Sequence, residues 1–293
     1  MISSWMQRRP RFIGLVVMAL LPFVMGCQSL SIGSSSHPAH TAAHATDRGE
    51  GLLRILESGQ LRVGMTGTQP PLNMRNKNGE LIGLDVELAR ALADAMNLEL
   101  ILVETLFVDL LSDLEAGEID LVISSLTITP ARNARVAFAG PYLISGSSLL
   151  TRKDLALELT NLSALNSADR TWAALEGSTG EALILEALPL AKYVSIEDQE
   201  KAVVQIGRGE LDGLIADLPF VSFEIARNPE LGLATLPSPF TTEPLGIALP
   251  PNSPLFANLV QNYLNTLDYT GQLIQMKARW LNAGEWLSEL PRH

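Results

Sequence analysis

Apolar residues between positions 51 and 125 follow two alternating patterns. Short runs of large apolar residues, typical of buried strands, are separated by longer segments in which apolar residues recur every three or four positions, as in amphipathic helices. The predicted strands are 61–65, 98–105 and 119–125, and the predicted helices are 85–97 and 107–118. This part of the chain is therefore predicted to alternate between strand and helix.

The same alternation returns after residue 170. The predicted strands 170–177, 192–198 and 212–217 are each followed by a predicted helix, at 179–188, 199–210 and 218–230. A strand at 244–250 and two amphipathic helices within 253–281 complete the pattern. Alternating strands and helices indicate mostly parallel sheets flanked by helices. The two blocks therefore predict an α/β fold with two lobes.

The first 26 residues have a different pattern. Arg8, Arg9 and Arg11 precede the apolar run IGLVVMALLPFVMG, which is short for a transmembrane helix. A basic segment, a short apolar core and a small residue before the cleavage point are typical of a secretory signal peptide. The ending VMGC resembles a bacterial lipobox, which implies that Cys27 is lipidated and becomes the first mature residue. The alternative is a signal anchor that stays attached, with an inert Cys27.

Residues 27–50 are rich in Ser, Ala, Thr and His and contain few large apolar residues. Such a composition cannot bury enough surface to fold, so this segment is predicted to be a flexible tether. His37, His40 and His44 are spaced in a way that could bind a metal ion. Nothing in the segment would order them, and no metal site is predicted.

The overall composition limits the chemistry of the chain. Its 293 residues have a formal net charge of −11, which argues against a nucleic-acid partner. Cys27 is the single cysteine, so no internal disulfide is predicted. Beyond the tether the only histidine is His293, so an enzyme on this chain would need carboxylates, Lys or Tyr for acid–base work. No cofactor is predicted.

Small hydroxyl residues stand where the predicted strand 119–125 ends. Ser124, Ser125 and Thr127 lie there, and Arg132 follows. Open α/β sheets bind ligands beyond the carboxyl ends of their strands, and a planar guanidinium matches a carboxylate. The alternative is that Arg132 pairs with a surface acid while the hydroxyls cap the next turn. The residues alone leave both interpretations open.

A longer motif favours the first interpretation. The segment GEIDLVISSLTITPARNARVAFAGPY resembles the central signature of the periplasmic solute-binding proteins of the polar amino-acid family. The likeness covers almost all of residues 51–285. It includes, in order, LRVGMTGTQPPL, GELIGLDVELARAL, LEGSTGEAL, IADLPF and TGQLIQMKARWL. As an ordered set, these motifs are specific for the family and less so for the ligand.

The resemblance implies a two-lobed periplasmic-binding-protein fold of type II with a ligand cleft between the lobes. Each lobe would be a mostly parallel sheet flanked by helices. The expected division of the chain is a lipoprotein signal peptide, a tether, a first lobe from two segments and a second lobe, with the bounds 1–26, 27–50, 51–146 plus 242–293, and 147–241.

The resemblance also implies the residues of the site. Arg132 would hold the α-carboxylate of a ligand, with help from Ser125 and from the hydroxyl and N–H of Thr127. Thr179 would offer its N–H from a helix start, where the helix dipole also favours an anion. Asp217, at a strand end, would take the ammonium group. These residues would bind an amino-acid-like zwitterion.

The side-chain end of the implied site departs from the family pattern. Phe107 matches the aromatic residue that packs on the ligand side chain. Thr66 and Gln69 stand where the family usually has an acid and an aromatic residue, and Leu72 replaces another aromatic residue. A cationic ligand side chain would lack its carboxylate partner at Thr66. These departures disfavour a lysine-like or arginine-like ligand, whereas the residues expected at the α-amino-acid end match the family pattern.

The resemblance implies a receptor rather than an enzyme. It would be a monomer in the periplasm, anchored to the inner or outer membrane through Cys27, and would deliver its ligand to an ABC permease. A sensory or cell-envelope receptor without a transporter is one alternative. The other is an enzyme like the cyclohexadienyl dehydratases of this fold, with Glu181 as general acid. Glu181 is otherwise a first-turn glutamate favoured by the helix dipole.

Overall fold

Two five-stranded sheets and one small three-stranded sheet organise the chain. The computed structural model describes residues 47–159, 162–282, 284, 286–287 and 290. The first elements are α1 (Asp47–Ser58), β1 (Gln60–Met65), β2 (Thr68–Gln69), β3 (Asn73–Arg75), β4 (Leu81–Ile82), α2 (Leu84–Ala95), β5 (Glu99–Glu104), α3 (Leu110–Ala116), β6 (Leu121–Val122), α4 (Pro130–Asn133) and β7 (Ala137–Ser145). The next are β8 (Ser147–Arg152), α5 (Lys153–Ala156), α6 (Leu162–Leu165), β9 (Thr171–Leu175), α7 (Thr179–Ala187), β10 (Lys192–Ile196), α8 (Gln199–Gly207), β11 (Gly213–Asp217), α9 (Leu218–Arg227) and β12 (Leu233–Ala234). The last are β13 (Glu243–Leu249), α10 (Pro254–Tyr269) and α11 (Gln272–Leu281).

The first large sheet has the strand order β5-β1-β6-β13-β7. Strands β5, β1 and β6 are parallel, and β13 runs antiparallel to both β6 and β7. Helices α2, α10 and α11 pack with this sheet over a core that includes Leu61, Leu88 and Phe256. This sheet and its helices are called the first lobe.

The second large sheet has the order β10-β9-β11-β8-β12. Strands β10, β9 and β11 are parallel, and β8 is antiparallel to β11 and β12. Helices α7, α8 and α9 cover it. Trp172 on β9 is fully buried and donates its indole N–H to the carbonyl of Leu165 at 2.8 Å. This sheet and its helices are called the second lobe.

Several predicted elements are shorter than the sequence pattern suggested. The predicted helix 107–118 begins with a 3₁₀ turn, Phe107–Asp109, before α3. It ends at Gly117, whose φ of 73° is in the left-handed region that favours glycine. The predicted strand 119–125 is paired as a strand only at Leu121–Val122, because the chain turns at Ser125, where φ is 51°.

Helix α1 begins at Asp47, inside the segment predicted to be a tether. The helix is fixed to the first lobe because Ile55 is buried in the core and α1 packs on α10. Apolar residues after position 50 thus stabilise a helix that starts earlier than its first apolar residue. The rest of the predicted tether and the predicted signal peptide, with Cys27, lie outside the described residues.

The chain crosses between the lobes at two adjacent segments. It leaves the first lobe between β7 and β8, at Gly146, and it returns between β12 and β13. The segments are hydrogen-bonded, since the N–H of Ser147 donates to the hydroxyl of Thr241 at 2.8 Å and the N–H of Phe240 donates to the carbonyl of Ser147 at 2.7 Å. We call these two segments the crossing segments.

The last described residues touch both lobes. Trp280 on α11 donates its indole N–H to Glu87 of α2 at 2.6 Å. Trp286 stacks on Phe223 of α9, with 5.6 Å between the ring centroids. The C-terminal end of the described chain is therefore packed on the first lobe through Trp280 and on the second through Trp286.

Two structural features are absent from the described residues. Within them, no helix has both the length and the apolar character that crossing a membrane requires. No group of three or more His, Cys, Asp or Glu side chains in the same residues is arranged to hold a metal ion.

Candidate ligand-binding site

A cleft between the two lobes collects the predicted site residues. Its first-lobe lining is Gln69, Phe107, Ser125, Thr127 and Arg132. Its second-lobe lining is Ser147, Leu175, Ser178, Thr179, Gly180, Gln199, Ile215, Ala216 and Asp217. Every residue predicted for the site is thus at the cleft except Thr66. The free space measures about 20 Å³, room for roughly one water molecule, so the lobes are closed on each other.

Thr66 does not line the cleft but contacts residues next to the lining. Its hydroxyl donates to the side-chain oxygen of Asn73 at 2.9 Å, and its N–H donates to the hydroxyl of Ser124 at 3.1 Å. Ser124 in turn donates to the side-chain oxygen of Gln69 at 3.1 Å. These bonds hold the segment after β1, which carries Thr66 and Gln69, against the end of β6. They place the Gln69 side chain, rather than that of Thr66, in the cleft lining.

Ser125 is held in place by Asp85, a residue that the sequence analysis did not single out. Asp85 is fully buried at the start of α2 and accepts the N–H of Ser125 at 3.0 Å, the amide of Asn73 at 2.8 Å and the hydroxyl of Tyr142 at 2.8 Å. Burial raises the pKa of Asp85 to about 6, although these hydrogen bonds oppose the rise. The signal by which sequence reasoning could have found Asp85 was the presence of an acid inside the apolar motif GLDVEL.

Arg132 bridges the cleft. It lies on α4, whose first turn is capped by the hydroxyl of Thr129. Its guanidinium donates to the carbonyl of Thr127 at 2.8 Å and to the carbonyl of Gly177, in the second lobe, at 3.0 Å. The guanidinium carbon stands 5.5 Å from the centroid of the Phe107 ring, a cation–π contact.

The charge of Arg132 is unpaired by any salt bridge within the described part of the chain. Burial lowers the pKa of Arg132, while the negative charges of Glu243 and Asp217 act in the opposite direction. The alternative in which Arg132 pairs with a surface acid does not fit this geometry. A half-buried cation whose hydrogen bonds go to carbonyls and not to a carboxylate can accept an anion.

Asp217 faces the cleft from the end of β11. Its carboxylate accepts the hydroxyl of Ser125 at 2.8 Å, which connects the second lobe to the first. Burial raises the pKa of Asp217 to about 7, and the charge of Glu243 adds to this, while Ser125 and Arg132 oppose it. A buried acid with a raised pKa is stabilised as an anion when a cation binds beside it.

Glu243, which contacts the cleft residues Thr127, Thr179 and Ser147 from behind the lining, is a second residue that sequence reasoning missed. Its buried carboxylate accepts four hydroxyl hydrogen bonds, from Thr127 at 2.7 Å, Thr179 at 2.7 Å, Thr241 at 2.7 Å and Ser147 at 2.5 Å. Burial raises its pKa, but these hydrogen bonds outweigh burial, so the pKa is lowered overall. Glu243 directly precedes the predicted strand 244–250, where an acid is ordinarily exposed, so no sequence pattern pointed to it.

The contacts of Glu243 change the expected role of the Thr127 hydroxyl and leave the expected role of Thr179, which rests on its backbone N–H, unchanged. The hydroxyl of Thr127 was expected to face the ligand, but it donates to Glu243. The hydroxyl of Thr179 does the same, while Thr179 begins α7 as expected and follows the capping residue Ser178. The hydroxyls of both residues are therefore engaged by an acid of the protein itself.

Glu181 has partners that explain its position on α7. Its N–H donates to the Ser178 hydroxyl at 3.1 Å, and its carboxylate accepts the N–H of Gly177 at 2.6 Å and the hydroxyl of Tyr193 at 2.8 Å. Such reciprocal bonding resembles a helix capping box. Glu181 is not among the residues that line the cleft.

Comparison with known protein families gives a match to most of the chain. A family model described as bacterial extracellular solute-binding proteins, family 3, matches residues 61–283.

Individual relatives include both receptors and an enzyme. The chain is 28% identical over 225 residues to ABC transporter arginine-binding protein 1 of Escherichia coli, which covers 75% of this chain and 90% of that protein. It is also 28% identical over 230 residues to cyclohexadienyl dehydratase of Pseudomonas aeruginosa, covering 78% of this chain and 85% of that enzyme.

A solved structure resembles the fold closely. It is the crystal structure of an ancestral amino acid-binding protein described as a precursor of cyclohexadienyl dehydratase. The TM-score is 0.74 at 32% sequence identity, and the match covers 79% of this chain and 99% of that one.

Proposed function

This chain belongs to the family 3 bacterial extracellular solute-binding proteins, and on that premise we propose that it is a receptor that binds a small amino-acid-like zwitterion and delivers it to an ABC importer. The predicted two-lobed fold of type II is confirmed. The observation that carries the proposal is a cation, Arg132, and an acid, Asp217, which are both half-buried and lie on opposite sides of one cleft.

The two groups suit the two ends of an amino acid. The guanidinium of Arg132 would hold the α-carboxylate, with the N–H of Thr179 at the start of α7 as a further donor. Asp217 and the hydroxyl of Ser125 would hold the ammonium. In the closed cleft these two groups are bonded to each other at 2.8 Å, so the lobes must open for a ligand to enter and close again around it.

The side chain of the ligand would lie between Phe107 and Gln69. Neither residue carries a negative charge, and the hydroxyl of Thr66 is directed at Asn73 rather than at the cleft. A ligand with a neutral side chain therefore fits this end of the cleft better than a cationic one. Although one relative is an arginine-binding protein, the proposal for this chain is a neutral amino acid.

Catalysis is the second candidate, because one relative is a cyclohexadienyl dehydratase. The carboxylate of Glu181, the expected general acid, accepts hydrogen bonds from Gly177 and Tyr193 and does not line the cleft. Its hydrogen bonds at the start of α7 account for the presence of Glu181 at this position. This supports binding without turnover as the activity of the chain.

The proposal extends to the location of the protein. Residues 1–26 would direct export, and lipidated Cys27 would hold a monomeric receptor at a membrane on the periplasmic side. The support is the basic and apolar pattern of the N-terminal segment and its VMGC ending.

Titration calorimetry of the purified protein tests the ligand proposal. The ligands are L-glutamine, L-arginine and L-glutamate, which differ in side-chain charge, and succinate, which has no ammonium group. We expect L-glutamine to bind best and succinate not to bind. Arg132→Ala should weaken binding by about a hundredfold or more, because removing one partner of a buried charge pair costs on the order of 3–5 kcal/mol.

Arg135→Ala is the matched control for Arg132→Ala. Arg135 lies three residues further on, is exposed and pairs with Glu115 outside the cleft, so its removal should leave binding unchanged. Asp217→Asn should weaken binding as Arg132→Ala does. If Asp217→Asn binds as well as the wild type while Arg132→Ala does not, the ligand is an anion without an ammonium group, and the amino-acid proposal is wrong.

A further inference from the structure

Glu243 connects the two lobes through a single oxygen atom. Its Oε2 accepts a hydrogen bond from the hydroxyl of Thr127 and another from the hydroxyl of Thr179, each at 2.7 Å. Thr127 follows β6 in the first lobe, and Thr179 begins α7 in the second. Separation of the lobes must therefore break at least one of these two bonds.

The other oxygen fixes the carboxylate to the crossing segments. Oε1 accepts the hydroxyl of Ser147 at 2.5 Å and the hydroxyl of Thr241 at 2.7 Å. Ser147 and Thr241 are also bonded to each other through the N–H of Ser147. Both residues lie where the chain passes between the lobes, so the carboxylate is anchored at the hinge.

The carboxylate is well suited to hold these four donors. An ionised carboxylate has about four lone-pair positions and no proton of its own to place. Hydrogen bonds to a charged acceptor are roughly twice as strong as those between neutral groups. Glu243 is only 4% exposed, so water does not compete with the hydroxyls for the carboxylate.

Other polar groups of the cleft are also paired across it. The hydroxyl of Ser125 donates to Asp217, and the guanidinium of Arg132 donates to the carbonyl of Gly177. These are groups that a ligand would replace when it binds. The bonds of Glu243 differ because the hydroxyls of Thr127 and Thr179 are already satisfied by the protein and can stay so when a ligand is bound.

We propose that Glu243 is a closing latch and positioning residue, which holds the lobes together through Thr127 and Thr179 and reserves their hydroxyls from the ligand. The carboxylate of a ligand is then left with the guanidinium of Arg132 and backbone N–H groups. This inference goes beyond the proposed function. It rests on that function in one respect, namely that the receptor works by closing its lobes.

Small-angle X-ray scattering of the ligand-free protein tests the latch, after dialysis against denaturant and refolding to remove bound solutes. The variants are Glu243→Gln, which removes the charge, and Thr179→Val, which removes one hydroxyl but keeps the backbone N–H. Thr179→Ser restores the hydroxyl. Glu224→Gln is the matched control, because Glu224 is also fully buried but lies on α9, away from the cleft lining. Circular dichroism checks that each variant is folded.

We expect a larger radius of gyration for Glu243→Gln and Thr179→Val than for the wild type, and wild-type values for Thr179→Ser and Glu224→Gln. If Glu243→Gln does not fold, the radii of gyration of Thr179→Val and Thr179→Ser are compared instead, and a larger radius for Thr179→Val supports the latch. Equal radii for all folded variants, or a wild type as extended as the variants, would overturn the latch. No ligand is used, so failure of the amino-acid proposal in calorimetry leaves this result unaffected.

Discussion

The pKa of Asp217 depends on the groups that surround this residue in the cleft. Burial and the nearby charge of Glu243 raise its pKa from 3.8 to about 7. The folded protein therefore holds the proton of Asp217 more tightly than the unfolded chain does. Between about pH 4 and pH 7, this group makes the free energy of unfolding decrease as the pH rises, because its carboxylate must ionise in a buried place.

Ligand binding should have the opposite dependence on pH. An ammonium group beside Asp217 stabilises the anion, so binding below pH 7 requires the loss of a proton. We expect affinity for the best-bound amino acid to rise by up to roughly tenfold per pH unit as the pH approaches 7 and then to level off. Calorimetry from pH 5 to pH 8 measures this.

Asp217→Asn is the control for the pH dependence. It should bind weakly and lose the part of the pH dependence that comes from position 217. Asp85, whose pKa is raised to about 6, is present in both proteins and cancels in the comparison. A wild-type affinity that stays constant from pH 5 to pH 8 would contradict the assignment of Asp217 to the ammonium.

At the scale of elements, the crossing segments set how the two sheets are joined. Strands β7 and β8 are separated by the single residue Gly146, and the return segment lies directly against it. A Cβ atom at Gly146 would stand 2.1 Å from the carbonyl oxygen of Thr241, which is backbone and cannot rotate away. Glycine is required here because the two crossing segments of the chain approach each other closely.

Gly146→Ala should therefore destabilise the protein. The added methyl group must push the crossing segments apart, so we expect a loss on the order of 1–3 kcal/mol in the free energy of unfolding, measured by urea denaturation. Gly207→Ala is the control, since the new Cβ atom there would meet only the side chain of Leu231, at 3.0 Å or more. Equal free energies of unfolding for Gly146→Ala and Gly207→Ala would show that the crossing segments can move apart without a loss of stability.

At the scale of the whole molecule, the proposed lipid anchor would set how far the lobes can stand from a membrane. The proposed anchor is Cys27, and the described fold begins at Asp47. The 19 intervening residues, 28–46, would span at most about 65 Å if fully extended. A tether of this length would allow the lobes to move away from the membrane surface while remaining attached.

Metabolic labelling with radioactive palmitate in a bacterial host checks the anchor. The wild type should incorporate label, and Cys27→Ser should not, because the thiol that carries the lipid is absent. Ser29→Ala, a change two residues further on, should leave labelling unchanged. Equal incorporation into the wild type and Cys27→Ser would show that Cys27 is not the lipidated residue.

The periodicity of the sequence was sufficient for much of the fold. The alternation of apolar runs predicted β1, β5, β9, β10 and β11 and the helices α2, α3, α7 and α8, because strand and helix patterns are set by neighbouring residues. The alternation also placed Ser125 and Asp217 at the ends of predicted strands. Strands β7 and β8 and the short helices α4, α5 and α6 were not predicted. The small sheet β2-β3-β4 was missed, since strands of two or three residues leave no period to recognise.

What the sequence by itself determined, then, is the α/β alternation, the two blocks and the family motif that surrounds Arg132. Only the tertiary structure decided that Glu243 meets Thr127, 116 positions away in the chain, and that Asp85 supports Ser125, 40 positions away. The first of these contacts depends on β13 returning to lie between β6 and β7 in the first sheet. The raised pKa of Asp217 likewise arises from burial between two lobes, because desolvation depends on every atom that surrounds a group and not on its neighbours in sequence.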